Sequence, residues 1–439
     1  MMNKTCFSIL IGLFITIGTS AQIKELGRRS SWEAKIDAPK HAPGAKIKSI
    51  TPDSPLDKAG FLANDIILEV NGTLVKDANI WGNLSYNLRG REKTHIKALR
   101  GAQAIERDVQ FNALQKEQHN NLDTYYEEIT SKYGITQRVI ITKPKKSGKQ
   151  PTIVLIGGLS CSSIETHADR NVSNWVKTIK DLVEKSNMVV MRIEKPGVGD
   201  SNGDCSQADF LTDLEGYRSA IAHLKSKSYV DTSKIIVYGS SMGSALAPLL
   251  ANEFNLAGVI SDGTFFKTWY EHMLEIERRI LGFKGNTESE IVEKMNAYYI
   301  PLYYGMLIEK KTYQQVIDAY PALSSYNYHD PEHMYGRPMK YYQQLQEFDL
   351  AGEWEKLQVP VRILRGTNDW IMSSFDNDMI INVLDKSGHE DHLLYEYPGL
   401  DHWNTIHQNP KDSFEGKPGT WDPGTINLII EWAQKMVGA

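Results

Sequence analysis

Long runs of one sign of charge are missing from this chain. Its 439 residues carry a formal net charge of −5, and no stretch of clustered lysines and arginines stands out. Nucleic acid and anionic membrane surfaces are therefore not expected partners. Long apolar runs are scarce as well. The main one, Phe7 to Gly18, falls well short of the roughly 20 residues that span a bilayer. Lys4 precedes it, and Thr19 and Ala21 follow at the spacing a signal peptidase reads, so residues 1–21 read as a leader cleaved before Gln22. Cysteine is also rare, with three in the whole chain. Cys6 lies ahead of the apolar run, not at the cleavage point where a lipid-modified cysteine has to be. The mature protein is expected to be exported, periplasmic or secreted, with no membrane span. Metal-ligand spacing is lacking too: His389 and His392 in "SGHEDH" precede an expected strand and do not form a helical H-E-x-x-H pair. No metal and no organic cofactor is implied.

What is present is an ordinary soluble composition, 41% hydrophobic and 23% charged, on a chain long enough for two or three domains. The first part runs over residues 26–114. Its centre is "GAKIKSITPDSPLDKAGFLANDIILEVNG". There "KIKSI" and "DIILEV" read as strands, "SPLDKAGF" as a helical turn capped by Ser54, and Asn71-Gly72 as a tight turn. The order Ser54-Pro55, Ala59-Gly60, Asp65-Ile66, Asn71-Gly72 resembles that of bacterial PDZ domains. Asn64 stands where that family usually has glycine, and asparagine tolerates the left-handed backbone that such a position requires. The resemblance implies a module that binds a peptide or protein C-terminus by strand addition at a sheet edge. "LGRRSSWEA", Leu26 to Ala34, occupies the place of that family's carboxylate-binding loop. A PDZ fold that only packs on its neighbour is the alternative. The polar stretch over residues 115–124, "QKEQHNNLDT", reads as the linker.

Over residues 125–439 short β-rich runs alternate with helical ones, the pattern of an α/β sheet covered on both faces. "YYEEIT" and "QRVIITKP" read as an opening hairpin. "TIVLIGG", "NMVVMRIE", "KIIVYGS", "LAGVISDG", "VPVRILRG" and "HLLYEYP" follow as strands. Within "IIVYGSSMGSAL", Gly239-Ser240-Ser241-Met242-Gly243 fits G-x-S-x-G between a strand and a helix, the context of a nucleophile elbow. Only Ser241 has glycine two residues away on both sides, so Ser240 is the spacer. A serine hydroxyl needs a base, and the base needs an orienting acid. Asp369 in "VRILRGTNDWIM" and His402 in "LLYEYPGLDHWNT" each follow a later strand, in the order Ser, acid, His. Asp376 and Asp378 compete for the acid, and His407, His389 and His392 for the base, from less suitable positions. The oxyanion donors of this arrangement are the amide of Met242 and one in "LIGGLSCSS", with Leu159 first and Ser160 next to it.

The set "VLIGG", "RIEKPGVGDSNG", "YGSSMG", "LRGTND" and "GLDHW" resembles the signatures of the α/β-hydrolase superfamily, near its serine aminopeptidases and acyl esterases. Gly157 stands where many members have histidine, and "EKPG" where Asp-x-Arg-Gly is common; Glu194 and Lys195 read as a structural ion pair, with a contribution to the pocket as the alternative. The resemblance implies an α/β-hydrolase fold in which residues 267–358, rich in tyrosine, form a helical lid. Within the lid, "SYNYHDPEHMYGRPMKYY" suggests His333, Tyr335 and Arg337 as substrate contacts. Family topology also makes the strands ahead of Cys161 and Cys205 neighbours, which implies a disulfide between them in an oxidising compartment. The expected activity is hydrolysis of a small carboxylic ester, or of a short peptide, through an acyl-enzyme. The alternative from another class is a PDZ-based binding protein whose hydrolase half is inactive.

Overall fold

The computed structural model describes residues 26–166, 173–326 and 332–438. The expected leader, residues 1–21, and Tyr328 of the expected lid lie outside the described residues. None of the described helices is long and apolar enough to cross a membrane.

The N-terminal module is a five-stranded antiparallel path of β1 (Ala34–Asp37), β2 (Ala45–Ile50), β3 (Ile66–Val70), β4 (Lys93–Arg100) and β5 (Gln103–Gln110), in that spatial order. Helix α1 (Ala78–Asn87) lies between β3 and β4 in the chain. The turn chemistry read from the sequence is realised. Ser54 caps the turn Pro55–Lys58 by accepting the Asp57 N–H, and Asn64 takes φ 76°. Ile47, Leu56, Phe61, Ile67, Val70, Ile96 and Phe111 form a core of the module's own.

The second module is one eight-stranded sheet. Its strands are β6 (Leu122–Thr130), β7 (Thr136–Pro144), β8 (Gln150–Ile156), β9 (Val189–Ile193), β10 (Val230–Ser240), β11 (Gly258–Asp262), β12 (Val361–Gly366) and β13 (His392–Tyr397). They lie in the order β13-β12-β11-β10-β8-β9-β7-β6. The β6–β7 hairpin is antiparallel, β7 pairs antiparallel with β9, and every other pair is parallel. Parallel strands need both faces covered, and their near-continuous β-branched runs reflect it. Helices α2 (Asn174–Lys185) and α7 (Gly424–Val437) contribute to the core on one face. Helices α3 (Phe210–Lys225), α4 (Met242–Phe254) and α6 (Ser374–Lys386) contribute to the other. The insertion opens with α5 (Trp269–Phe283), started by a Thr268/Glu271 capping box, and continues as short helical segments and the hairpin His333–Met334/Arg337–Pro338. Its tyrosines serve mostly for packing: Tyr303, Tyr341 and Tyr342 are buried, and Tyr298 stacks on Tyr326.

The polar stretch over residues 115–124 is not a loose tether. Residues 122–124 already belong to β6, and the Glu117 side chain is buried against Arg192 while accepting the Thr166 amide N–H at 2.7 Å. A polar composition signals a linker only when its charges find no partners in the fold, and here they do.

Candidate active site

Strand β10 runs directly into helix α4 with Ser241 between them. Ser241 has φ 55°, a left-handed backbone that a non-glycine residue keeps only where its surroundings impose it. The two flanking glycines show why the turn can be so tight. A Cβ on Gly239 would lie 2.3 Å from the Gly243 carbonyl oxygen, and one on Gly243 would lie 2.1 Å from that of Ile156. The turn lifts the Ser241 hydroxyl to the C-terminal edge of the sheet, where loops after β11, β12 and β13 meet it. Asp369 follows β12 and His402 follows β13. The His402 Nδ1 lies 2.9 Å from Asp369 Oδ2, and its Nε2 lies 2.9 Å from Ser241 Oγ. Because a carboxylate only accepts, Nδ1 carries the proton toward Asp369, and Nε2 is left to accept from the serine. The other Asp369 oxygen takes the amides of Ile371 and Met372, each at 2.9 Å, which fixes the carboxylate on its own turn.

The competing residues are engaged elsewhere. Asp376 is buried and accepts the Phe266 amide at 3.0 Å, and Asp378 is exposed on α6. His407 pairs with Asp401 at 3.2 Å, His389 donates to the Val359 carbonyl, and His392 meets Asp385. No group of metal-ligating side chains occurs among the described residues.

Burial disfavours the His402 imidazolium, but Asp369, with Asp262 and Asp401 nearby, outweighs burial and holds the pKa above the ordinary histidine value. Asp262, the last residue of β11, escaped the sequence reading. Burial and the like charge of Asp369 push its carboxyl up to about 7, against the pull of His402. Its signal was available: a carboxylate closing the strand next to the one that carries Ser241.

Residues 46–95 match the PDZ domain family. Over 303 residues the chain is 23% identical to the esterase EstD of Thermotoga maritima, an alignment covering 67% of this chain and 65% of that protein. A 97-residue stretch is 28% identical to the α/β-hydrolase domain-containing protein WAV2 of Arabidopsis thaliana, covering 22% of this chain and 30% of that one. The chain thus spans less than two thirds of the length of either curated relative. Among solved structures, acetyl xylan esterase 1 of Thermoanaerobacterium sp. aligns at a TM-score of 0.42 and 16% identity over 73% of this chain and 86% of that chain. The strand order and the elbow decide the fold. The chain has an α/β-hydrolase fold, with a segment that matches the PDZ domain family ahead of it.

Within the hydrolase domain, the loop after β8 approaches Ser241 closely: a Cβ on Gly158 would lie 3.0 Å from Ser241 Cβ. That loop is braced from several sides. Glu194 and Lys195 do not form the expected ion pair, because each is turned to the loop. Glu194 accepts from Ser163 Oγ and from the Ile164 amide, while Lys195 Nζ donates to the carbonyls of Gly158 and Ser160. Burial and the like charge of Glu165 push Glu194 up to about 7. Burial pulls Lys195 down to about 8, with Asp213 and Glu194 opposing and Arg337 adding to the fall. The disulfide Cys161–Cys205 is present, with a Cα separation of 5.8 Å.

The three suggested substrate contacts separate. Arg337 is fully buried, paired with Asp213 and donating to the Cys205 carbonyl at 2.9 Å, so it ties the lid hairpin to the disulfide and has no exposed face for a ligand. His333 bonds the Ser206 carbonyl at 3.1 Å. Tyr335, at φ 49° on the hairpin turn, is 41% exposed and presents its ring edge-on to Trp269. Of the three, Tyr335 alone is an exposed large side chain.

The PDZ domain meets the hydrolase domain through Leu26 to Ala34, the segment at the place of that family's carboxylate-binding loop. Two of its amides are taken by the hydrolase domain: Leu26 N–H donates to Glu128 Oε1 at 2.7 Å, and Arg29 N–H to Asp200 Oδ1 at 3.0 Å. Arg28 pairs with Asp200 and Glu165, and Arg29 with Glu165. Tyr86 of α1 accepts the Gly199 N–H at 2.7 Å.

Proposed function

We propose that this protein is a serine hydrolase that cleaves small carboxylic esters through an acyl-enzyme. The single observation that carries the reading is the hydrogen-bonded line from Asp369 through His402 to Ser241, with both bonds at 2.9 Å. Ser241 Oγ attacks the ester carbonyl as His402 Nε2 takes its proton, and the carbonyl oxygen becomes an oxyanion. The amides of Leu159 and Met242 stabilise that charge. Collapse breaks the bond to the alcohol, which leaves with the proton from His402, while the acyl group remains bonded to Ser241 Oγ. Water then attacks the acyl-enzyme with His402 again as base, which releases the acid and restores the serine. Asp369 keeps the imidazole in the tautomer this requires and stabilises the imidazolium that forms. The likeness to an esterase supports ester over amide. The Cys161–Cys205 bond and the leader-like residues 1–21 support export to an oxidising compartment.

A panel of acyl-nitrophenyl esters, acetylated sugars and aminoacyl-anilides tests the reading, with wild type and Ser241→Ala side by side. Esters are expected to be turned over by wild type alone. Cleavage confined to anilides overturns the ester assignment in favour of a peptidase. Failure of a fluorophosphonate to label Ser241 in the folded protein favours a binding protein instead.

A further inference from the structure

We infer that Lys195 is a positioning residue for the oxyanion hole: by holding the Gly158 carbonyl it turns the Leu159 N–H toward Ser241, which makes Leu159 the second donor beside Met242. This rests on the reading of Ser241 as the nucleophile. In the sheet, β8 lies between β10 and β9. The loop that follows β8 therefore has Ser241, at the end of β10, on one flank and Lys195, just beyond β9, on the other. From its flank Lys195 donates to the Gly158 carbonyl and, at 3.0 Å, to that of Ser160. On the opposite flank Gly158 meets Ser241, its Cβ position lying 3.3 Å from the serine Oγ.

A trans peptide points its carbonyl oxygen and its N–H in opposite directions, and none of the described peptide bonds is cis. With the Gly158 oxygen drawn toward β9, the N–H of the same peptide, which belongs to Leu159, faces the β10 side. Among the described residues no acceptor takes that N–H, nor that of Met242 at the first position of α4. Two unpaired amides thus converge on the hydroxyl from different elements, which is the requirement for binding a developing oxyanion. An ammonium bonded to a carbonyl also polarises the whole peptide group and strengthens its N–H as a donor. Lys195 is itself buried, with Asp213, Glu194 and Arg337 as its charged neighbours.

The test uses the full chain and the best nitrophenyl ester of the panel. Lys195→Met is expected to lower kcat about 100-fold or more, the usual effect of losing one oxyanion donor, with KM little changed. Lys195→Arg, which keeps charge and donors, should recover part of the loss. A trifluoromethyl ketone, whose serine adduct carries an oxyanion, should lose affinity by the same factor as kcat/KM, whereas a merely structural brace would leave that correlation unmet. Full kcat in a folded Lys195→Met overturns the inference and leaves Ser241 as nucleophile. A wild type that neither hydrolyses any ester nor takes a fluorophosphonate at Ser241 overturns both. If Lys195→Met does not fold, a crystal structure of wild type phosphonylated at Ser241 decides. The phosphoryl oxygen within about 3.1 Å of the Leu159 and Met242 amides supports the assignment, and an oxygen bound by Ser160 N–H instead overturns it.

Discussion

His402 sets the expected pH behaviour. On the proposed mechanism hydrolysis needs its neutral form, and the surrounding carboxylates, against the effect of burial, hold its pKa above the ordinary histidine value, so kcat/KM should rise with pH on a limb centred above that value. Asp262→Asn removes one of those carboxylates while leaving the Asp369 bond in place, and its limb should shift to lower pH; an unmoved limb means Asp262 does not influence the base. Arg337 invites a different measurement. As a substrate contact its loss would raise KM alone. Buried against Asp213 as it is, Arg337→Met should cost about 3–5 kcal/mol of stability, the price of leaving a carboxylate buried and unpaired. Thermal unfolding and KM, measured on the same variant, distinguish the two roles.

At the level of elements, the stretch ahead of β6 is where composition and structure part. Glu117 lies in a stretch whose composition reads as a linker, yet its side chain is buried against Arg192 and close to His119. Burial disfavours its charge, but Arg192, His119 and the Thr166 amide prevail and hold the carboxyl well below the ordinary glutamate range. A depressed carboxylate stabilises the fold above its unfolded pKa of 4.5 and loses that contribution as pH falls below it. Glu117→Gln should therefore unfold at a lower temperature at neutral pH, and its melting point should depend less on pH below 4.5 than that of wild type. Equal pH slopes for the two proteins would remove Glu117 from the acid response.

For the molecule as a whole, the consequence lies in how the PDZ domain is attached. Arg28 and Arg29 bond Glu165, which sits on the same loop as Gly158 and Leu159, and both contact Asp200. Removing residues 26–114 strips both carboxylates of these partners. Small-ester turnover should then fall together with thermal stability. Unchanged turnover after the deletion would show instead that the PDZ domain acts only as a recruiter. The same contacts fill the amides of Leu26 and Arg29 with carboxylates from within the chain. A peptide with a free C-terminus should accordingly bind the intact protein more weakly than it binds Asp200→Asn, as read by fluorescence anisotropy.

Much of this was legible in the residues themselves, and for a local reason. Turn glycines, β-branched runs and a serine framed by Gly239 and Gly243 specify backbone shapes that depend on immediate neighbours. The family resemblance then supplied the order of Ser241, Asp369 and His402, which the structure brings within hydrogen-bond distance of one another, and the pairing of Cys161 with Cys205, which is present. Tertiary structure alone decided the fate of the charges. Arg337 and Asp213 are 124 residues apart, Arg192 and Glu117 are 75, and Arg28 and Asp200 are 172. Nothing in a window of sequence ranks one carboxylate above another as a distant partner. That choice is made when strand order brings the ends of β8, β9 and β10 together, because a buried charge persists only where an opposite charge or a hydrogen-bond donor is buried with it.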